Sequence, residues 1–389
     1  MDHGEESLKR HKKLKGKIGI YSKMGVNSLE DLSVFYTPGV AAVSREIAKD
    51  KDKIWDYSMR NNSVAVITDG SAVLGLGNIG PEAAQPVMAG KALLFKEFAG
   101  IDAYPLCLDT QETAEIIMIC RSLAPSFGGI NLEDISAPRC FEIENALQDL
   151  GIPVMHDDQH GTAIVVLAGL INASKVVGKS LEKCKIVVNG LGAAGTATAR
   201  MISEFTGYRA NILLVDSQGL VCSRSKISGY KKQICKTVGI SKLSGGLADA
   251  VRGADIFIGL SAPHVLTKEM VRSMNSNAIV FAMANPVPEI EPEEALDAGA
   301  AIVATGRSDF PNQVNNVLAF PGIFRGALDA KATKITEKMK LAATMALAGA
   351  TGKATANRIL PQPLEKQVVK KIARAVKDAA IKSGVIRKC

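Results

Sequence analysis

Two pairs of adjacent acids stand at the ends of apolar runs. Glu133-Asp134 follows Gly129–Leu132, and Asp157-Asp158 follows Ile152–His156. Hard divalent cations such as Mg²⁺ and Mn²⁺ take oxygen ligands. In open parallel sheets, ligands collect beyond the carboxyl ends of the strands. Two acid pairs in that position suggest an all-oxygen metal site. Each acid taken singly also suits a helix N-cap, because both pairs precede helical segments. The repetition after two apolar runs favours the metal. His156 and His160 flank the second pair. The other donors are hard oxygens, so the histidines are read as structural imidazoles.

A cation sits where a core residue belongs. Ala84, Met88, Phe95 and Phe98 mark one stripe of a helix over 82–98, and Lys91 falls on it. Desolvation should lower the pKa of a buried lysine and suit it to general-base work. An ion pair with a strand-end carboxylate, or snorkelling, explains the position equally well. Tyr36 stands beside the Pro38-Gly39 turn, which presents its phenol at a fixed bend.

The third signal is a glycine-rich turn. Lys185–Asn189 reads as a buried strand, runs into Gly190-Leu-Gly-Ala-Ala-Gly195, and continues as a helix. Glycines at this spacing allow a tight turn, close approach of a pyrophosphate and close helix–strand packing. The helix N-terminus adds amide donors for the phosphates. Asp216 ends the next strand, where an acid binds the adenosine ribose. Gly190, Gly192, Ala193, Ala194, Gly195 and Asp216 are therefore assigned to a dinucleotide. Asp216 favours NAD over NADP, whereas Arg224, Lys226, Lys231 and Lys232 lie close enough in sequence to take a 2′-phosphate.

These residues need strands that end together and helices between them. Strands are expected at Ser63–Thr68, Ala103–Leu108, Gly129–Leu132, Ile152–His156, Lys185–Asn189, Asn211–Asp216, Asp255–Gly259, Ala278–Met283 and Ala301–Thr305. Helical patterns separate many of them. The fold class is thus α/β, with two domains of mostly parallel sheet, the second a doubly wound Rossmann-type NAD(P)-binding domain. The expected division is 1–160 for the catalytic domain, 161–329 for the nucleotide domain, and 330–389 for helices packing back on the first. Residues 1–30 read as helical or as an arm.

Composition narrows the class. The chain has 389 residues, 47% hydrophobic and 22% charged, as in a globular enzyme. No unbroken apolar run suits a membrane span, and no signal core opens the chain, so a cytoplasmic protein is expected. Seven scattered cysteines without a Cys-x-x-Cys fit a reducing compartment and argue against a zinc ribbon. The net charge of +8 concentrates at Lys9–Lys17 and Lys366–Lys388. Val369, Ile372, Ala373 and Val376 keep helical spacing there, so the C-terminal charge reads as the solvated face of a docked helix rather than a nucleic-acid surface.

Taken together, the strings resemble the malic enzyme family in its short form, from about Leu32 to Ala327. They are Tyr36-Thr-Pro-Gly-Val40, Thr68-Asp-Gly-Ser-Ala-Val-Leu-Gly-Leu-Gly77, Gly90-Lys-Ala-Leu-Leu94, Asn131-Leu-Glu-Asp134, His156-Asp-Asp-Gln-His-Gly-Thr-Ala163, Gly190–Gly195, Ala284-Asn-Pro286 and Gln313–Gly322. The resemblance implies oxidative decarboxylation of malate to pyruvate and carbon dioxide, with NAD or NADP and Mg²⁺ or Mn²⁺. It implies Tyr36 as general acid and Lys91 as general base at the substrate. It also implies Glu133, Asp134 and Asp158 as metal ligands with Asp157 in support, and Asn285 and Asn316 as substrate-holding amides. Longer family members carry a malate-binding arginine after the Thr-Asp-Gly string; here Ser71-Ala72 stands instead. Carboxylate anchoring from a partner subunit, in a homodimer or larger homo-oligomer, is the expected remedy. The rival readings are a malolactic enzyme and a non-catalytic NAD sensor. Retention of Tyr36, Lys91 and the four acids argues against the sensor.

Overall fold

The computed structural model describes residues 3–387 apart from 228, 240 and 242. Lys388 and Cys389, part of the basic terminus and of the cysteine set, lie outside the described residues. The first sheet contains β1 (Ser63–Thr68), β2 (Asp102–Cys107), β3 (Gly129–Leu132) and β4 (Val154–His156), in the order β2-β1-β3-β4. All its pairings are parallel. Burial on both faces explains the unbroken apolar character of β1.

The second sheet contains β5 (Lys185–Asn189), β6 (Asn211–Asp216), β7 (Gly219–Leu220), β8 (Ile256–Gly259), β9 (Ala278–Ala282) and β10 (Ala300–Thr305). Its order is β10-β9-β8-β5-β6-β7. Every pairing is parallel except β6–β7. All nine expected strands form, with ends displaced by at most two residues. The tenth, β7, is a two-residue edge and too short to leave a pattern.

Helix Asp157–Val177 joins the sheets, and residue 160, the expected boundary, lies inside it. It is apolar enough in composition to suit a membrane, but it is buried on nearly every face against helices Ala193–Phe205 and Glu337–Ala350. One apolar core therefore runs from Val64 and Phe95 through Leu167 to Ile186 and Ile372. Helices Phe320–Asp329 and Lys366–Lys382 return to helix Pro81–Ala99 of the first sheet. Phe95 meets Phe320 and Phe324 edge-on, with centroids 4.8 and 5.4 Å away. The expected stripe Val369, Ile372, Ala373 and Val376 is buried.

One feature departs from the sequence pattern, and the helical or arm-like reading of residues 1–30 agrees with helix His3–Leu14. Cys222 and Cys235 are joined in a disulfide, a pair that scattered spacing did not single out. Helices His3–Leu14, Leu29–Phe35 and Val40–Lys49 bury no residue. Ile20, between the first two helices, is 91% exposed, and Leu29 is 83% exposed.

Candidate active site

Strands β3 and β4 are neighbours, with Leu132 opposite His156. Their carboxyl ends therefore place the two acid pairs side by side. One oxygen each from Glu133, Asp134 and Asp158 fall within 4.8 Å of one another. The Asp134 amide donates to Asp158 Oδ2 at 2.7 Å, which ties the two strand ends together. Burial and mutual repulsion push all three carboxyls above their ordinary range. Asp134 Oδ2 is buried with no hydrogen-bond partner among the described residues. Clustered, desolvated carboxylates with an orphaned oxygen fit a hard divalent cation. His156 stays outside this set. Burial pushes its imidazole down to about 4, so it is neutral, and at 3.5 Å from Asp158 it forms no ion pair.

Lys91 enters from helix Pro81–Ala99, buried with Ala84, Met88 and Phe95 as the stripe required. Its Nζ lies 2.7 Å from Asp157 Oδ2 and 2.8 Å from Glu133 Oε1. The ring centroid of Phe320 is 4.2 Å away. Desolvation alone would lower the lysine, as the sequence suggested. Asp157, Glu133 and Asp158 outweigh it, and the pKa is raised. That expectation is therefore corrected: without a metal, Lys91 is a buried ammonium between carboxylates. A divalent cation at Glu133, Asp134 and Asp158 would add positive charge beside it and oppose the upward shift.

Asp157 links this lysine to Asn316. Its Oδ2 also accepts from Asn316 Nδ2 at 2.6 Å. A Cβ at Gly161 would stand 1.9 Å from Asp157 Oδ1, so only glycine fits one turn further along the helix. Asn285 is exposed after β9, and the hydrogen bond of its amide runs to Met283 rather than to the carboxylates. Tyr36 is 67% exposed, and no hydrogen bond joins it to Lys91 or to the acids. The structure thus gathers Lys91, Glu133, Asp134, Asp157, Asp158 and Asn316. It leaves Asn285 exposed outside this cluster and Tyr36 on the surface.

Sequence reading passed over Glu144. Its carboxylate accepts from the His156 amide at 3.0 Å, Gln159 Nε2 at 3.1 Å and His160 Nε2 at 2.9 Å. It thereby braces the turn that presents Asp157 and Asp158. Lys340 closes the network 3.0 Å from His160 Nδ1. Burial pushes the Glu144 carboxyl up, but His160 and Lys340 outweigh it and hold it at about 2. The signal was present: Glu144 sits on the buried stripe Cys140, Ile143, Leu147, as Lys91 does on its own.

At the second sheet, Gly190 has φ +103°, and a Cβ there would meet the Leu260 carbonyl at 2.3 Å. A Cβ on Gly195 would lie 1.8 Å from the Gly190 carbonyl, so helix and strand approach as a nucleotide turn requires. Gly192 instead faces open space at the N-cap of helix Ala193–Phe205, beside half-buried Ala193 and Ala194. That opening suits a pyrophosphate. Asp216, at the end of β6, is ion-paired to Arg224 and, at 2.7 Å, to Lys231. Burial raises its carboxyl, but these partners win and hold it at about 2.

A doubly wound dinucleotide domain joined through one buried helix to a sheet that ends in clustered carboxylates is the arrangement of a dinucleotide-dependent oxidoreductase. Comparison makes the class particular. Residues 15–148 match the family profile "Malic enzyme, N-terminal domain", and residues 159–381 match "Malic enzyme, NAD binding domain". The chain is 52% identical over 388 residues to a bifunctional malic/malolactic enzyme of Bacillus subtilis, covering 98% of this chain and 94% of that one. It is 53% identical over 377 residues to an NAD-dependent malic enzyme of Geobacillus stearothermophilus, covering 96% and 78%. The crystal structure of an NAD-dependent malic enzyme from Thermotoga maritima superposes with a TM-score of 0.92 at 48% identity, covering 95% of this chain and 98% of that one. The chain belongs to the malic enzyme family.

Proposed function

We propose that the protein oxidatively decarboxylates malate to pyruvate and carbon dioxide, passing hydride to NAD or NADP. The observation that carries this reading is Lys91, buried between Asp157 and Glu133 at the edge of the carboxylate cluster. Once in its free-amine form, which the charge of a bound divalent cation would favour, a lysine there can take the proton of the malate hydroxyl as hydride leaves C2 for the nicotinamide, which yields oxaloacetate. Asp157 and Glu133 fix its Nζ, Asn316 in turn holds Asp157, and the amides of Asn316 and Asn285 offer N–H donors to the substrate carboxylates. Glu133, Asp134 and Asp158 would hold Mg²⁺ or Mn²⁺, which would supply Lewis-acid charge favouring loss of carbon dioxide. Tyr36 protonates C3 of the resulting enol form to give pyruvate. The test is malate-dependent reduction of NAD and NADP with and without Mn²⁺, with products identified.

The bifunctional name of the Bacillus relative favours a second reading, in which pyruvate stays bound and is reduced to lactate. Lactate among the products would select it.

The exposed N-terminal segment supports a shared site. Ser71 cannot serve as a carboxylate anchor, because its hydroxyl donates to Asp69 at 2.6 Å and accepts from the Ser136 amide at 2.9 Å. We place the segment Leu29–Val43 of one protomer of a homodimer against the carboxylate site of its partner, delivering Tyr36 and covering apolar side chains left bare in the single chain.

Two outcomes test the ligand assignments. EDTA should abolish turnover, and Mn²⁺ should restore it. Asp134→Lys should abolish the calorimetric signal of Mn²⁺ binding, whereas persistence of that signal would remove Asp134 from the ligand set. For the cofactor, Arg224 and Lys231 are already engaged by Asp216, so NAD should be favoured. Asp216→Asn releases both cations and should raise kcat/KM with NADP by about tenfold. A wild type that prefers NADP would show that the two cations dominate.

A further inference from the structure

Glu289 is a carboxylate that the reaction does not use. It is fully buried, and among the described residues no ion pair accompanies it. Burial pushes its carboxyl up, opposed only by hydrogen bonds. Each oxygen accepts a backbone amide: Oε1 that of Ser261 and Oε2 that of Ala284, both at 2.9 Å. The two amides belong to the loops that leave β8 and β9. Gly259, the last residue of β8, makes the room. A Cβ there would fall 2.3 Å from Glu289 Cδ.

Both loops continue into the site. On one side, Ser261 Oγ accepts from Asn189 Nδ2 at 2.8 Å, and Gly190 rests on the Leu260 carbonyl, so this loop backs the dinucleotide turn. On the other, Ala284 precedes Asn285, whose carbonyl stands where a Cβ on Gly75 would meet it at 2.2 Å. The Asn285 loop is therefore pinned between the glycine turn of the first domain and Glu289. Only a carboxylate offers acceptors at both ends; a glutamine would turn its NH₂ towards a backbone N–H.

We infer that Glu289 is a positioning residue that sets the spacing between the dinucleotide turn at Gly190 and the substrate amide of Asn285. It acts through these loops and touches neither substrate nor cofactor. The inference rests on the malic enzyme reading, in which hydride passes between those two loops. A misplacement of about 1 Å in such a geometry costs on the order of 10²-fold in rate.

The experiment compares full-length wild type, Glu289→Gln and Gly259→Ala. The last keeps the carboxylate and displaces it. Both variants should lower kcat/KM for malate by roughly 10²-fold, with KM raised and kcat reduced. Their Mn²⁺ affinity by calorimetry should stay within about twofold of wild type, because the metal carboxylates belong to the other sheet. Wild-type kinetic constants in both variants, or loss of Mn²⁺ binding in step with activity, would overturn the inference. If Glu289→Gln does not fold, Gly259→Ala decides by the same two criteria. A wild type that never turns over malate fails the family reading instead, so the two failures are distinct.

Discussion

Lys91→Ala is expected to lose malate oxidation and also the reverse reduction of oxaloacetate, each by roughly 10²–10⁴-fold, the usual worth of a general acid–base group. Both directions fail because Lys91 acts at the C2 oxygen, so it is needed whenever hydride moves. The measurement is steady-state rate in both directions at saturating Mn²⁺. The substitution also removes the cation between Asp157 and Glu133. Breaking a buried pair typically costs about 3–5 kcal/mol of stability, so melting temperatures should be read beside the rates. A rise in KM would add a charge role for Lys91 in substrate binding without changing the direction of either loss. A folded Lys91→Ala enzyme that still reduces oxaloacetate at the wild-type rate would remove Lys91 from the proton transfer.

Tyr36→Phe is expected to separate the two halves of the reaction. It should keep metal-dependent reduction of oxaloacetate, because that step makes no C3–H bond. It should lose malate-to-pyruvate turnover by a similar roughly 10²–10⁴-fold. Exchange of pyruvate methyl protons with deuterated water should fail with it. The exposure of Tyr36 in the single chain adds a sharper outcome. If Tyr36 serves the partner's site, mixing inactive Lys91→Ala and Tyr36→Phe protomers creates heterodimers with one intact site each. Random assortment then restores about a quarter of wild-type activity, as the symmetry of a two-site dimer requires. With both groups in one chain, mixing restores nothing. If Tyr36→Phe lost oxaloacetate reduction and Lys91→Ala kept it, the two roles would have to be exchanged.

Much of the fold was legible because the strands are buried on both faces and read as apolar runs. β1 and β5 needed no other signal. β7 was not legible, since two residues carry no period. At the site, the acid pairs and Lys91 announced themselves by breaking local rules: carboxylates at strand ends, and a cation on an apolar stripe. The direction of the Lys91 shift was not legible. Desolvation is a local inference, whereas Glu133 and Asp157 come from strand ends 42 and 66 residues away. Glu144 and Lys340 obey the same stripe signal, but their pairing through His160 spans distant helices. Glu289 had even less to show, because its partners are backbone amides and its niche is an absent Cβ at Gly259. Tyr36 was readable as a residue at a turn, but a Pro-Gly signal fixes a bend and not its direction, and the phenol stands 67% exposed.

A malate-dependent assay on the purified protein decides whether it works as a malic enzyme. NAD and NADP are supplied in parallel, with and without Mn²⁺, and pyruvate, lactate and carbon dioxide are quantified together. The proposed function requires reduction of the nicotinamide that depends on both malate and Mn²⁺, with pyruvate and carbon dioxide formed in step with it. Dinucleotide binding without any malate-dependent reduction, in the presence of Mn²⁺, would contradict it.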